Sequence, residues 1–399
     1  MKILHIISGV NPKNGGPIQG IRNYQNSLFY LGVERHIATF EDPNDILLWD
    51  FPETLKFHAL GKPKTSWQYN SKLIPFLINE ASNYDVLIIN GLWTYHSYAV
   101  TKAIQNIKKK SSNQKLPKVY VMPHGMLDPW FQKDKTRRLK AIRNFFYWHL
   151  IEKKVINTSD GLLFTCEEEL FLARNTFSGY HPKKEQNIGY GIEAPPPLSE
   201  ELKIAFKSHC NFNTLEPYLL FLSRIHPKKG VDLLIRAYCE LLSDLEFANK
   251  IPNLIIAGPG IESEYGKKLL EFIEENPNIK PKINFVGHLF GETKWSAIYG
   301  CEAFVLPSHQ ENFGIAVAEA LACNKPVLIT NKVNIYIEIE QGGAGIISDD
   351  TLAGTINNLK NWLNLSTEVK EKMSENAYFV YETNFGVKNA AIRLIESIK

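Results

Sequence analysis

Short apolar runs that alternate with amphipathic helical patterns constrain this 399-residue chain more than any other feature. Strand, helix and strand in repetition predict parallel β-sheets flanked by helices, which is an α/β fold. A first series of runs predicts strands at 2–7, 35–39, 85–89, 118–122 and 161–165. A second series predicts strands at 218–222, 252–257, 283–286, 302–306, 326–329 and 345–347. Helical patterns between them include 17–31, 231–246, 264–276, 315–323 and 367–381.

A proline run at 195–197 separates the two series of strands. Consecutive prolines are stiff and extended and cannot enter a sheet, so we predict the domain boundary near 190–198. The chain is also longer than the ~100–200 residues of an ordinary domain. We therefore predict two Rossmann-like domains, at 1–192 and 199–383. Ligands of parallel sheets bind beyond the carboxyl ends of the strands, so two such sheets facing each other would create a central cleft.

Composition argues against several classes of function. The net charge of +3 and the pI of about 8.4 come without the concentrated basic stripe of a protein that binds nucleic acid. The five cysteines are scattered and form no Cys-x-x-Cys pair, which argues against a disulfide framework and a zinc site. The first apolar run is too short for a signal peptide, and no run reaches the ~18–20 apolar residues of a membrane span. These observations predict a cytoplasmic protein.

Two weak motifs follow predicted strands of the first domain. Gly15 and Gly16 precede the first helix, where glycines let the backbone approach a phosphate; a tight turn with a helix cap explains them equally well. His124 and Gly125 follow the fourth strand. His124 would face the cleft, where it could donate a hydrogen bond to a sugar hydroxyl or to an acceptor group, although a lone histidine in a loop is more often structural.

The segment Ser-Arg-Ile-His-Pro-Lys-Lys-Gly, residues 223–230, follows the first strand of the second domain and opens a helix. It places Arg224 and Lys229 beside a helix N-terminus. A diphosphate leaving group needs such fixed cations, because negative charge builds on it as the glycosidic bond breaks. Lys228 competes with Lys229 for this role, and ordinary surface charge beside a loop is the alternative explanation.

The strongest motif runs from Pro307, where a strand ends, into the helix predicted at 315–323. Glu311 lies in the polar loop, free to reach sugar hydroxyls, and the N–H groups after Asn312 can face a phosphate. Glu319 lies in the second turn of an otherwise apolar helix. A carboxylate there is costly unless it is paired or faces a ligand, such as the two vicinal hydroxyls of a ribose. The alternative is a glutamate that is salt-bridged on a solvent-exposed face.

Together these motifs resemble those of family 4 retaining glycosyltransferases, of the type that builds bacterial surface polysaccharides. The resemblance rests on two glutamates with seven residues between them that flank Asn-Phe-Gly, and on the segment 223–230. The early Gly-Gly pair and the segment His-Gly-Met-Leu-Asp-Pro-Trp also match, and all four motifs occur in family order. The resemblance implies the GT-B fold, in which a last helix, here 384–399, packs back on the first domain.

The resemblance also implies a role for each residue. Arg224 and Lys229 would hold the diphosphate of a nucleotide-sugar donor, and His124 would contact the sugar or the acceptor. Glu311 would bind the transferred sugar and Glu319 the ribose. The other donor contacts would come from Gly15, Gly16, Asn312, Phe313, Gly314 and Ile315, with Gly287, His288 and Leu289 around the base. The residues expected to act in catalysis are Arg224, Lys229, Glu311 and His124.

The mechanism that the resemblance favours is front-face attack, in which the departing phosphate helps to deprotonate the acceptor. The protein then acts by positioning and electrostatics. A covalent intermediate on Glu311, as in retaining glycosidases, is the less favoured alternative. The chain has no Asp-x-Asp pair to hold a metal on the diphosphate, so we predict an activity that needs no divalent metal and no cofactor. UDP-glucose is the first choice of donor and GDP-mannose the second.

The predicted partners are this donor and a saccharide or lipid-linked saccharide acceptor, with no nucleic acid. Residues 133–154 are basic and aromatic, and could dock peripherally on the anionic inner face of the plasma membrane. A core helix with a solvated basic face is the slightly favoured alternative. Docking would use three aromatic and three basic residues, Phe145, Phe146, Trp148, Arg137, Arg138 and Arg143.

Three other functions stay open at this point. A nucleotide-sugar epimerase would share the fold and the donor site but would need an acid and a base at the sugar ring. A dinucleotide oxidoreductase would need Gly-x-Gly-x-x-Gly after a strand, and this pattern is absent. A sugar-nucleotide binding module without activity would not need the two cations and the two glutamates together.

Overall fold

The computed structural model describes residues 1–11, 16–47, 49, 51–110, 115–134, 137–209 and 216–399. The chain divides into two compact units. The first unit comprises Met1–Gly191 together with Val387–Lys399, and the second comprises Ile192–Gly386. Each unit is built on one parallel sheet with helices around it. The predicted α/β class with two Rossmann-like sheets is therefore confirmed.

Seven parallel strands form the sheet of the first unit, in the order β3-β2-β1-β4-β5-β6-β7. The sequence patterns do not predict β3 and β7, the two edge strands. Each edge strand pairs with one neighbour only, so it need not be apolar on both faces. Neither carries a long apolar run, and β7 is a polar segment of three residues. The strands are β1 (Lys2–Ile6), β2 (Glu34–Thr39), β3 (Leu55–Ala59), β4 (Val86–Asn90), β5 (Lys118–Met122), β6 (Gly161–Phe164) and β7 (Glu185–Asn187).

Six parallel strands form the sheet of the second unit, in the order β10-β9-β8-β11-β12-β13. All of them lie within one residue of their predicted positions, and the four central strands β9, β8, β11 and β12 are apolar runs buried on both faces of the sheet. The strands are β8 (Tyr218–Leu222), β9 (Asn253–Ala257), β10 (Ile283–Gly287), β11 (Ala303–Leu306), β12 (Val327–Thr330) and β13 (Gly345–Ser348).

Helices cover both sheets. Among the described residues, no helix is both long and apolar enough to cross a bilayer. The first unit contains α1 (Gly16–Tyr30), α2 (Pro43–Leu47), α3 (Leu73–Glu80), α4 (Tyr95–Lys110), α5 (Trp130–Lys133), α6 (Arg138–Tyr147), α7 (Lys153–Thr158), α8 (Glu167–Ala173) and α17 (Val387–Ile398). The second contains α9 (Glu200–His209), α10 (Val231–Ser243), α11 (Glu264–Glu275), α12 (Gly291–Gly300), α13 (Ile315–Ala322), α14 (Tyr336–Gln341), α15 (Leu352–Asn364) and α16 (Thr367–Val380).

The two faces of the first sheet pack against different helices, because side chains alternate along each strand. Leu4 and Leu87 belong to a buried cluster that includes α3 and α4. Their neighbours Ile3 and Ile88 belong to a second cluster, which joins α1 to α17. The C-terminal helix is therefore an integral part of the core of the first unit.

The basic and aromatic segment that begins at residue 133 has two contrasting faces. Trp148 is wholly buried and its ring stacks on Phe177 at 4.8 Å, so the prediction that Trp148 contributes to a docking surface is wrong. Phe145 and Phe146 are exposed on α6. Three further apolar side chains of this segment are exposed as well, namely Leu139, Ile142 and Leu150. The exposed face thus carries apolar side chains as well as basic ones.

A buried carboxyl group connects this segment to the loop that follows β4. Glu152 lies at the end of a π-helical turn, Trp148–Glu152, and has no exposed surface. Its Oε1 accepts hydrogen bonds from the Trp93 N–H at 2.8 Å and from the Ser97 hydroxyl at 2.9 Å. Its Oε2 has no hydrogen-bond partner among the described residues. Burial raises the pKa of Glu152 to about 7.

We expect Glu152→Gln to change how stability depends on pH. The folded state holds the proton of Glu152 to a higher pH than the unfolded state, so the stability of the wild type falls as pH rises from about 4.5 to 7. Glutamine keeps the accepting oxygen and never ionises. At pH 9 the variant should be more stable by about 3 kcal/mol, and at pH 4 the two proteins should be nearly equal.

Urea denaturation across this pH range measures the effect. Glu396→Gln, at an exposed carboxylate on α17, is the control and should leave the pH profile unchanged. A Glu152→Gln profile parallel to that of the wild type would show that Glu152 ionises in the folded state as freely as in the unfolded one.

Candidate functional site

The predicted charged residues of the second unit lie on two loops that follow neighbouring strands. β8 and β11 pair in parallel, so their carboxyl ends lie side by side. The loop 223–230 follows β8 and the loop 307–314 follows β11. The loops are joined by bonds to the Lys228 carbonyl, which accepts from the His309 N–H at 2.8 Å and from the Ser308 hydroxyl at 3.0 Å. These bonds fix one loop against the other.

Lys229 and Glu311 form an ion pair across the two loops. Their side chains are only 8% and 20% exposed, so each charge compensates the other where water is scarce. The backbone of Glu311 is fixed as well: its N–H donates to the Lys332 carbonyl at 2.8 Å and its carbonyl accepts from the Asn334 N–H at 3.0 Å. The carboxylate is therefore held towards the lysine by the fold and by charge.

Positive potential accumulates around the β8 loop. Arg224 is exposed and lines an open pocket of about 1140 Å³ with Gly260 and Tyr265. The pKa of His226 is lowered, first by burial and then by the nearby charges of Arg224, Lys228 and Lys229. The charges of Arg224, Lys228 and Lys229, rather than the burial, are what favour an anion at this loop.

Two helix N-termini begin at the same two loops. α10 begins after Gly230 and α13 after Gly314, with φ of 68° and 81°, and neither helix has a side-chain cap. A side chain at Gly230 would collide with the Pro307 carbonyl, since its Cβ would lie 2.0 Å away. In α10 the Asp232 N–H donates to the Tyr265 hydroxyl at 3.1 Å. The dipoles of both helices favour an anion here. Phe313 is buried and packs edge-on against Phe385 at 5.5 Å, so its ring belongs to the packed interior of the second unit.

Glu319 has a partner that the sequence patterns miss. On α13, its Oε1 accepts from the ammonium of Lys294, on α12, at 2.7 Å. The two side chains are only 15% and 20% exposed, so this is a largely buried pair and not a salt bridge on a solvent-exposed face. No signal identifies Lys294, because α12 is not among the predicted helices. Glu319 makes no hydrogen bond to Lys229 or Glu311 within the described part of the chain.

The loop predicted to hold the base follows β10. Gly287 has a φ of 73°, and its carbonyl accepts from the Gly258 N–H at 2.7 Å. His288 is exposed, whereas Leu289 is buried. Gly258 has a φ of 144°, and a Cβ there would lie 1.8 Å from the Ser223 carbonyl. The Gly-Pro-Gly sequence 258–260, directly after a predicted strand, could have predicted this close approach of two backbone segments.

The remaining predicted residues lie in the first unit. Gly15 lies outside the described residues. Gly16 begins α1, and its carbonyl accepts from the Tyr190 hydroxyl. His124 follows β5, is partly exposed and has a φ of 53°, which is rare for a residue other than glycine. Its Nε2 lies 3.2 Å from Asn90 Oδ1, and burial lowers the pKa of His124 to about 4.

Comparison with known proteins agrees with this geometry. Residues 204–379 match the family model described as glycosyl transferases group 1, and this stretch contains both pairs of charged residues. An uncharacterized glycosyltransferase of Methanocaldococcus jannaschii is 31% identical over 134 residues, which are 34% of this chain and 32% of that protein. D-inositol 3-phosphate glycosyltransferase of Rhodococcus opacus is 24% identical over 199 residues, or 50% of this chain and 44% of that one. The matches thus span less than half of each relative.

Solved structures match over nearly the whole chain. Anabaena HepE in complex with UDP-glucose has a TM-score of 0.72 at 16% identity, covering 100% of this chain and 99% of that one. Sucrose-phosphate synthase of Thermosynechococcus elongatus has a TM-score of 0.70 at 17% identity, covering 99% and 97%. The fold is therefore GT-B. With the match of residues 204–379, it supports a glycosyltransferase.

We expect Lys229 and Glu311 to be strongly coupled in stability. Lys229→Met should destabilise the protein by about 3 kcal/mol, because it leaves a carboxylate unpaired in a poorly hydrated position. Combining it with Glu311→Gln should cost less than the sum of the single changes, with a coupling of about 1–3 kcal/mol.

Urea denaturation of the four proteins measures this coupling. The pair Lys268–Glu264 on α11 provides a control cycle, since its side chains are 68% and 86% exposed. That control should couple by about 0.5 kcal/mol or less. Additive effects at Lys229 and Glu311 would mean that the observed pair does not compensate buried charge.

Proposed function

We propose that this chain is a retaining glycosyltransferase that transfers a hexose from a nucleotide-diphosphate donor to a saccharide or lipid-linked saccharide in polysaccharide biosynthesis. One observation carries the proposal. Neighbouring strand ends combine the pair Lys229–Glu311, the exposed Arg224 and the N-termini of α10 and α13. This set provides positive charge for a diphosphate beside a carboxylate that can accept hydrogen bonds from sugar hydroxyls.

When the donor binds, Lys229 would exchange its partner Glu311 for the diphosphate. In the structure Lys229 neutralises Glu311. A bound diphosphate would take over Lys229, and the released Glu311 would accept hydrogen bonds from the transferred sugar. Arg224 and the helix N-termini would stabilise the charge that grows on the leaving phosphate. Glu319 would accept from the ribose with the oxygen that Lys294 leaves open.

The proposed reaction retains the anomeric configuration and needs no divalent metal and no cofactor, because Arg224 and Lys229 supply the positive charge at the phosphate. We name no general base in the protein. UDP-glucose is the proposed donor, and GDP-mannose is the second choice. HepE, which shares the fold, has been solved with UDP-glucose. Proton NMR of the product reports the anomer, and an assay in EDTA tests the metal; a strict need for Mg²⁺ or Mn²⁺ would contradict the proposal.

We expect Lys229→Met to weaken UDP-glucose binding and to lower the transfer rate by about 100-fold, since it removes a charge contact to the leaving group. Lys228→Met is the matched control, because this neighbouring lysine has the same charge but makes no ion pair with Glu311. The control should change the affinity for UDP-glucose and the transfer rate by about threefold or less. A thermal-shift screen with UDP, GDP, ADP and their sugars identifies the donor first. Equal effects of the two variants, or no nucleotide that raises the melting temperature, would contradict the proposed site.

We also propose that this transferase works in the cytoplasm at the inner face of the plasma membrane. Five apolar side chains of α6 and the turn after it are 53–84% exposed: Leu139, Ile142, Phe145, Phe146 and Leu150. Exposed basic residues surround them, namely Arg138, Lys140, Arg143 and Lys154. Apolar side chains that enter the bilayer, with cations at the level of anionic headgroups, fit a peripheral membrane surface. A lipid-linked acceptor would be reached from there.

Vesicle flotation tests this surface. At low salt the protein should float with vesicles that contain an anionic phospholipid and much less with vesicles of phosphatidylcholine alone. The combined variant Ile142→Ser, Phe146→Ser should lose at least about tenfold in binding, because ~2 kcal/mol or more of apolar transfer free energy is removed. Leu245→Ser, at a 96% exposed leucine of the second unit, is the control. Flotation that is unchanged by the double variant would exclude this face as the membrane contact.

A further inference from the structure

The loop that follows β3, residues 61–72, reaches across the carboxyl edge of the first sheet. β2 and β1 separate β3 from β4 in the sheet, yet the Trp67 carbonyl accepts from the N–H of Tyr95, the first residue of α4, at 2.9 Å. The Asn70 amide closes the loop by donating to the Gly61 carbonyl at 2.8 Å. The loop thus contacts the helix that follows β4, next to the position between β1 and β4 where the strand order reverses. Open parallel sheets bind their ligands at such a position.

Five aromatic side chains, which form the aromatic cluster, meet where this loop contacts α4 and the end of α6. The ring centroid of Trp67 lies 5.2 Å from that of Tyr95 and 5.8 Å from that of Tyr98. It lies 6.2 Å from that of Tyr147, the last residue of α6. Tyr69 packs edge-on against Tyr95 at 4.8 Å and is 39% exposed. Of the five only Tyr95 is buried, so the cluster presents ring surface to solvent.

The polar atoms of the aromatic cluster are not used by the fold. None of its four tyrosine hydroxyls makes a hydrogen bond to a described residue, and the Trp67 Nε1 is buried without a partner among the same residues. A buried phenol or indole usually has a hydrogen-bond partner. The exception is clearest at Tyr95, which is only 4% exposed. Burial raises the pKa of Tyr95 to about 12, so at neutral pH its hydroxyl carries a proton and can both donate and accept.

The backbone of the loop is unfavourable at Gln68, which lies between two members of the cluster. Gln68 has a φ of 60°, which is rare for a residue other than glycine, and its Oε1 is buried without a partner in the described part of the chain. Both features cost stability, and glycine at this position would remove them. Strained backbone and unsatisfied polar atoms concentrate at sites that bind a ligand. The loop therefore does more than connect β3 to α3.

We propose that the aromatic cluster binds the saccharide of the acceptor, with its rings against the apolar C–H face of a pyranose. The phenol hydroxyls would exchange hydrogen bonds with the hydroxyl groups at the rim of the sugar. The cluster combines apolar rings with polar tips and contains no charged residue, so it suits a ligand that is apolar on its face and polar at its rim. A phosphate or a carboxylate would need fixed cations instead. This inference rests on the proposed function and deepens it, because it assigns the acceptor a place in the first unit.

A microarray of immobilised bacterial surface-polysaccharide fragments measures saccharide binding without any donor. The labelled wild type should bind a subset of the fragments that contain hexoses. Tyr69→Ala should weaken binding to the best of them by about tenfold or more, because it removes the most exposed ring of the cluster. Tyr30→Ala is the control and should bind like the wild type, since Tyr30 on α1 is 85% exposed and lies outside the cluster. A wild type that binds no fragment, or equal effects of the two variants, would overturn the proposed site.

Tyr95→Phe separates saccharide binding from a structural role of the same hydroxyl. This hydroxyl has no partner among the described residues, so its removal should leave the melting temperature unchanged or slightly higher. Binding to the same fragment should weaken about threefold to tenfold, since a hydrogen bond to the sugar is lost. Unchanged binding, with or without a loss of stability, would contradict the contact with the sugar.

The thermal-shift screen of nucleotides distinguishes failure of this site from failure of the proposed function. If the wild type binds fragments through the cluster but no nucleotide raises its melting temperature, the proposed function fails and the saccharide site stands. If the wild type transfers a sugar from a nucleotide donor and Tyr69→Ala leaves the KM of the acceptor unchanged, the proposed function stands and the saccharide site is overturned.

Discussion

Parallel pairing of β8 with β11 is the constraint on which the charged site of the second unit depends. It brings Lys229 and Glu311 together although 82 residues separate them in sequence. Parallel strands end at the same edge of a sheet, so the loops after them collect polar residues from distant parts of the chain at one place. The bonds between the two loops, through the Lys228 carbonyl, then fix this meeting point to within hydrogen-bond distance.

The ion pair explains how two charged side chains can lie where water is scarce. A lysine with 8% exposure would be costly if it stood alone, and a carboxylate nearby offsets that cost. An anionic ligand can replace the carboxylate without leaving the lysine unpaired, and the carboxylate then becomes available for hydroxyl groups. The same logic applies to Glu319 and Lys294. Both glutamates therefore have a lysine partner in the fold and an oxygen that can serve a ligand.

The strands that could be predicted from the sequence are those with long apolar runs. Buried strands such as β8 and β9 are nearly continuous apolar runs, and their positions were predictable. The edge strand β7 is short and polar and carries no such signal. The contact of Lys294 with Glu319 depends on how α12 packs beside α13, which no local pattern encodes. The burial of Trp148 could not be predicted for a related reason. Periodicity locates the apolar face of a helix, but it does not say whether that face packs against the rest of the protein.

Left-handed backbone occurs at the strand ends of both units, and in the first unit it includes Trp93 and His124 as well as Gly91 and Gly125. In the second unit Gly230 and Gly258 adopt positive φ, and a Cβ at either position would collide with a carbonyl. There the close approach of the backbones requires the absence of a side chain. In the first unit Trp93 and His124 adopt φ of 70° and 53° with side chains present, and the buried glutamates that bind Trp93 and Gly125 hold the loops in place. Glycine would relieve the strain at both positions, so the presence of an indole and an imidazole indicates that the side chains themselves are required.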